Sequence, residues 1–173
     1  LFCKAKFQFA IAHCNFQLRG EESEKDEDFV KNLAEKHQIP FFTTKFDTKK
    51  YANEHNLSTQ MAARELRYEW FEKIRKENNF DFIAVAHHLN DSIETILLNL
   101  TKGTGIAGLR GILPKNGNII RPLLFASREE IDKYVAENQL EWREDSSNVS
   151  DDYQRNLLRH QVIPILKQIN PNL

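Results

Sequence analysis

The 173 residues contain two cysteines, one methionine and six glycines, and their charges cancel to a net −1 at pH 7. Cys3 and Cys14 form no CxxC pair, so neither a zinc ribbon nor an iron–sulfur site is readable, and two reduced thiols suit the cytosol. No apolar run approaches the ~18 residues that cross a bilayer, and no basic, apolar, small-residue leader opens the chain. A cytoplasmic protein with no membrane partner is expected. The near-zero charge excludes a generally basic surface that coats nucleic acid, so any RNA partner must be gripped by a local Arg/Lys patch. There is no internal repeat and no low-complexity segment. What is present, 40% hydrophobic and 28% charged residues, is ordinary for one globular domain long enough to bury a core. The chain opens on Leu1-Phe2-Cys3 without a methionine and closes just past a long helical stretch; it is expected to be a piece of a longer protein.

Short apolar runs alternate with long amphipathic ones, the signature of βα units and a mostly parallel sheet. The pattern predicts strands over 7–14 (FQFAIAHC), 40–46 (PFFTTKF), 82–86 (FIAVA, read as buried) and 119–124. Helices are predicted over 23–37, with Phe29, Val30, Leu33 and Ala34 on one face, and over 58–78. The latter takes Ser58 as N-cap and Met61, Ala62, Leu66, Trp70 and Ile74 as its buried stripe. Further helices are predicted over 90–101, from Ser127 with Glu129 and Glu130 in its first turn, and over 152–169, interrupted or kinked at Pro164. Five of the six glycines fall between Gly103 and Gly117, a loop of unusual backbone freedom. Within it Gly103-Thr104-Gly105-Ile106-Ala107-Gly108 matches GxGxxG, but a helix and not a strand precedes it, which argues against a dinucleotide site. A loop near phosphate or nucleic acid and a plain connection both fit.

The predicted FIAVA strand runs into His87 and His88 and then a helix carrying Asp91 and Glu94, and the carboxyl end of a strand is where an α/β protein builds its site. Asp91 and Glu94 are three apart, so on a helix they point the same way, and with His87 or His88 they could hold a cation, an amine or a metal. The same Asp-x-x-Glu spacing also reads as a capping box for the first helical turn. A metal hydrolase using His87, His88 and Asp91 is a further reading, although adjacent strand residues face opposite ways and could share a metal only past the strand's end. Arg64 and Arg67, beside Tyr68, either reach a phosphate or form a solvated face with Glu65 and Glu69. Arg155, Arg159 and His160 form a second basic cluster after the turn-like Asp145-Ser146-Ser147-Asn148.

Five segments, AHCNFQLRGEES (12–23), SxxxAARELRYEWF (58–71), AVAHHLNDSIETILLNLTKGTGIAGLRGI (84–112), RPLLFASREEIDKYV (121–135) and EDSSNVSDDYQRNLLRHQVIPIL (144–166), follow one another in this order. Together they closely resemble the bacterial tRNA(Ile)-lysidine synthetases of the PP-loop ATP pyrophosphatase superfamily. The resemblance implies an α/β fold with a parallel sheet of about four to five strands and helices on both faces. It implies a PP-loop core over 1–125 and a helical extension of the same catalytic domain over 126–173. It also implies a ligase that joins lysine to C2 of the anticodon wobble cytidine. The C2 oxygen attacks the α-phosphate of ATP and releases pyrophosphate; the ε-amine of free lysine then attacks C2 and AMP departs. On this basis Asp91 and Glu94 hold the lysine amine, Arg64 neutralises charge on the α-phosphate, His13 and His87 line the ATP pocket with Arg64, and Arg155 and Arg159 steady the tRNA. ATP with Mg2+ is the expected cofactor, and tRNA(Ile), free L-lysine and a second copy of the chain are the expected partners; no resident metal site is expected.

The chain departs from the family pattern in places. The SGGxDS phosphate loop should precede the first strand and is absent, so these residues alone are expected neither to bind ATP tightly nor to turn over. Asn90-Asp91 stands where the family often shows two aspartates, Ser92 where it has Gln, and Phe16 where it has a second histidine; a magnesium role for the first aspartate is in doubt. The alternatives are another PP-loop enzyme that thiolates or amidates tRNA, and a non-catalytic RNA-binding domain.

Overall fold

The computed structural model describes residues 1–143 and 154–170. The chain divides into two compact units, Leu1–Ile83 and Ala84–Leu173.

The first unit is built on a βαβ unit. Strand β1 (Ile11–Asn15) and strand β2 (Phe41–Lys45) pair in parallel with Ile11 opposite Phe41 and Asn15 opposite Lys45. Helix α1 (Glu21–Lys36) crosses between them. It starts two residues ahead of the predicted Ser23, because Gly20 at φ 53 turns the chain and Glu21, Glu22 and Glu24 place negative charge at the positive end of the helix. Ser23 instead is buried, its Oγ accepting the Arg19 N–H at 3.2 Å. A short helix α2 (Thr48–Glu54), unforeseen from the pattern, is nucleated by Asp47, whose side chain accepts from Lys50 N. Helix α3 (Thr59–Glu77) starts at the expected cap, Ser58 accepting from Met61 N at 3.3 Å. Most of its predicted stripe faces inward, Ala62 buried and Leu66, Trp70 and Ile74 half-buried, while Met61 is 54% exposed and Ala63 is buried. Ala63 takes the inward place predicted for Met61, and two residues along a helix are a rotation of about 200°.

The second unit contains a three-stranded sheet in the order β3-β5-β4, with β3 (Ile83–Ala84) at the unit boundary, β4 (Lys115–Asn116) and β5 (Ile119–Ile120). β4 and β5 are antiparallel, Lys115 opposite Ile120. The α/β fold expected is met, with β1 and β2 as a parallel pair and β4 and β5 turned back on one another. The physical reason is the Gly117-Asn118 turn: a two-residue connection joins only antiparallel strands. The strand predicted over 119–124 stops early because Pro122 has no N–H to donate. FIAVA is not the buried strand expected, since Phe82 is 47% exposed and Ala84 and Ala86 are exposed as well.

Helix α4 (Leu89–Thr101), a 3-10 turn (Ile106–Arg110) and helix α5 (Arg128–Glu137) follow. α5 begins where expected, with a capping box between Ser127 and Glu130. The predicted turn at 145–148 and the start of the last helix lie outside the described residues. From Gln154 the chain forms α6 (Gln154–Leu157), a π turn (Leu158–Val162) and α7 (Ile163–Ile169). The interruption predicted at Pro164 is this π turn immediately before it. No helix among the described residues is long and apolar enough to cross a membrane. The largest fully buried side chains are polar, Glu94, Asn15 and Thr48, and such groups persist inside only when hydrogen-bonded. Thr48 donates to Phe16 O at 2.9 Å, and Asn15 donates to Glu24 at 3.0 Å and Glu27 at 2.8 Å.

Candidate active site

The first turn of α4 is closed by His88, not by Asp91. His88 has extended backbone, its Nδ1 accepts the Asp91 N–H at 3.4 Å, and Asp91 Oδ2 accepts the His88 N–H at 2.9 Å. The capping box therefore spans 88–91, three residues ahead of the 91–94 alternative, and the helix begins at Leu89. With Nδ1 accepting, the neutral imidazole carries its proton on Nε2. Asp91 thus caps the helix and keeps 16% of its side chain exposed.

Glu94, one turn on, is fully enclosed. Its two oxygens meet the Arg159 fork, Nε to Oε1 at 2.7 Å and Nη2 to Oε2 at 3.2 Å. A bidentate pair of this kind is the strong form of a charge-assisted hydrogen bond. The bond to Glu94 holds the Arg159 guanidinium above its ordinary range against the opposing effect of burial, and the charge on Asp91 adds to it. Arg155 Nη2 donates to Thr95 Oγ1 at 3.3 Å, and that hydroxyl donates to Asp91 O at 2.7 Å. Asp91, Glu94, Arg155 and Arg159 are thereby brought together in the second unit.

The side chains around them fix the helix rather than add to the site. Asn90 Oδ1 accepts the Arg128 N–H at 2.9 Å, and Leu89 N donates to Ala126 O at 2.9 Å. Ser92 Oγ accepts the Ile112 N–H at 3.1 Å, and Asn99 Nδ2 donates to Gly108 O at 2.9 Å. The glycine-rich loop is consequently pinned to α4 by two of its side chains. His87 is half-buried just ahead of the cap. No group of three or more His, Cys, Asp or Glu side chains among the described residues is placed to hold a metal ion.

His13 and Arg64 belong to the first unit. Burial pushes the half-buried His13 below its ordinary 6.5 in spite of Glu27 and Asp26 nearby. It raises the Cys14 thiol to about 11. Arg64 lies over the Tyr68 ring at 5.0 Å and Arg67 over Phe16 at 5.1 Å, with Phe16 stacked on Phe46 at 5.9 Å. These are cation–π contacts, which neither of the two alternatives, a phosphate contact or a solvated face with Glu65 and Glu69, had included. Two features were missed in the sequence. His88 as N-cap gave no signal, since histidine is not among the common capping residues. The Glu94–Arg159 pair joins residues too far apart in sequence for local spacing to reveal.

The PP-loop domain profile matches residues 2–166. The chain belongs to the PP-loop domain family. This PP-loop chain is 52% identical over 169 residues to the tRNA(Ile)-lysidine synthase of Bacteroides thetaiotaomicron, covering 98% of this chain and 40% of that protein. It is 48% identical over 168 residues to that of Porphyromonas gingivalis strain W83, covering 96% and 37%. It is 43% identical over 166 residues to that of Thermosipho africanus, covering 96% and 39%. The chain thus spans about two fifths of the length of these curated relatives. Among solved structures, the U34-tRNA thiolase NcsA from Methanococcus maripaludis, with its [4Fe-4S] cluster, matches with a TM-score of 0.72 at 16% identity. The match covers 92% of this chain and 56% of that one. At that identity the likeness shows the fold, which is the PP-loop α/β fold expected.

Proposed function

We propose that this PP-loop chain is the catalytic part of a tRNA(Ile)-lysidine synthetase, a ligase that uses ATP to join free L-lysine to C2 of the wobble cytidine of tRNA(Ile). Its similarity to named synthases over nearly its whole length supports this reading, and the carboxylate helix α4 gives it a chemical basis. Residues 1–125 form the nucleotide-handling core in this reading and 126–173 its helical extension, in a cytoplasmic enzyme.

Two bonds are exchanged in each step. The C2 oxygen of cytidine bonds to the α-phosphorus of ATP as the bond to pyrophosphate breaks. The lysine Nζ then bonds to C2 while the C2–O bond breaks, AMP leaves with that oxygen, and the amine gives up its proton. A lysine ammonium titrates near 10.4, so presenting the neutral amine at pH 7 costs about 4–5 kcal/mol. A carboxylate that first binds the cation and then takes its proton lowers that barrier, and the side of α4 that carries Asp91 and Glu94 is the proposed place for it. Arg64 offsets charge building on the α-phosphate, with His13 and His87 beside ATP and Arg155 and Arg159 toward the tRNA. His13, neutral through burial, suits contact with an uncharged purine ring. No described cluster fits Mg2+, so Mg2+ is taken as a companion of the triphosphate and no step is routed through it. The thiolating alternative calls for a cysteine pair, and Cys3 and Cys14 do not form one.

The test is ATP-dependent transfer of radiolabelled lysine to a tRNA(Ile) bearing a CAU anticodon, run on the full-length protein beside Asp91→Asn. Incorporation that the variant loses supports the reading. ATP cleavage to AMP and pyrophosphate without lysine incorporation would redirect it to another nucleophile.

A further inference from the structure

The two carboxylates of α4 are not equivalent. Glu94 has no exposed surface, and both its oxygens are taken by one guanidinium. Seen by an approaching cation, such a fork is close to neutral. Asp91 is partly exposed and gives Oδ2 to the His88 backbone N–H. We propose that Arg159 is a positioning residue of the lysine step, locking Glu94 into a neutral pair so that Asp91 alone carries the charge that receives the substrate ammonium. This assignment rests on reading the chain as the lysine-ligating part of the enzyme.

The backbone that carries Arg159 is shaped for this aim. Arg159 sits in the π turn Leu158–Val162, closed by the Ile163 N–H donating to Leu158 O. On a regular α-helix two residues five apart are rotated by roughly 140° from one another. The wider π turn brings Leu158 and Ile163 to the same side, and both are buried at 7% exposure. They anchor the segment on either side of the arginine. Pro164, with no N–H, cannot donate to the carbonyl of His160, and this favours the π phase over a continuous α-helix. π turns recur at functional sites, where a helix gives up regularity to aim a side chain. Asp91, one turn back on the same side of α4, is the carboxylate to which the guanidinium would turn if Glu94 were neutral, and its charge already reaches Arg159.

That competition supplies the test, on the full-length protein with lysine KM and kcat measured separately. Pyrophosphate release on tRNA without lysine is followed in the same samples, to separate loss of lysine use from loss of fold. Glu94→Gln is expected to leave Arg159 free to neutralise Asp91 and to raise the lysine KM about tenfold or more, the scale of one charge-assisted hydrogen bond. Adding Arg159→Gln removes the stray charge and is expected to bring KM back within about threefold of the starting protein. Asp91→Asn raises KM, and Arg159→Gln does not mend it. If Glu94→Gln loses both steps, the double variant, its fold regained, is expected to show a lysine KM within about threefold of the starting protein, and a KM still raised there overturns the assignment. A double variant as impaired as Glu94→Gln overturns the assignment and makes Glu94 itself the lysine receiver. Absence of lysine transfer by the unaltered protein would instead sink the functional reading, and the assignment with it.

Discussion

Gly111→Ala is expected to be among the most damaging small substitutions in the second unit. Gly111 has φ 66 and ψ −144, a region that is essentially glycine's alone, and an alanine there costs about 1–3 kcal/mol in backbone strain. The added Cβ would also overlap Ser92 Oγ and lie 3.1 Å from the Ile96 Cδ1 and Cγ1 atoms. Ser92 can escape only by rotating its hydroxyl away from the Ile112 N–H it accepts at 3.1 Å, and the net loss of that bond is about 0.5–1.5 kcal/mol. The sum is roughly 2–4 kcal/mol, which in urea moves the unfolding midpoint down by about 1–2 M at a slope near 2 kcal/mol/M. Gly117→Ala is the control: its φ is also positive, at 57, but nothing lies within 4 Å of the new Cβ, so only the strain remains. Ser92→Ala combined with Gly111→Ala removes the overlapping oxygen and should recover part of the loss. Equal costs at Gly111 and Gly117, or a Gly111→Ala midpoint indistinguishable from the unaltered protein, would refute the packing argument.

Two other outcomes follow from the same geometry. Asn90→Ala removes the acceptor for the first amide of α5 and should cost about 1 kcal/mol, whereas Asn90→Asp keeps the acceptor and adds a carboxylate near two helix starts, a gain of about 0.3–1 kcal/mol at low salt. Thermal unfolding in which Asn90→Asp is no better than Asn90→Ala would count against that contact. His13, held below 6.5 by burial, is more readily protonated in the unfolded chain. The unfolded state therefore binds more protons as pH falls through 6.5, and stability declines in that window until the folded-state value is passed. Urea unfolding between pH 8 and pH 5 should show that decline, and His13→Gln should flatten it; an unchanged slope would mean His13 is not the group responsible.

Local chemistry made much of the chain readable. Ser58 and Ser127 mark helix starts because a hydroxyl can meet free amides within its own turn, whatever surrounds it. Asp91 and Glu94 share a side of α4 because helical geometry alone puts residues three apart together. The alternation of short apolar runs with amphipathic helices gave the α/β class for the same reason. Burial and pairing were decided elsewhere. Whether FIAVA is covered, whether β4 and β5 turn back on one another and whether Met61 or Ala63 faces inward depend on neighbours distant in sequence. The same holds inside the site. That His88 takes the cap, that Asn90 is spent on Arg128, and that Glu94 is enclosed with Arg159, 65 residues away, are outcomes of packing. The sequence determined that two carboxylates share one side of α4. Only the tertiary structure decided which of them is enclosed and paired, because that depends on the cation that the fold delivers to it.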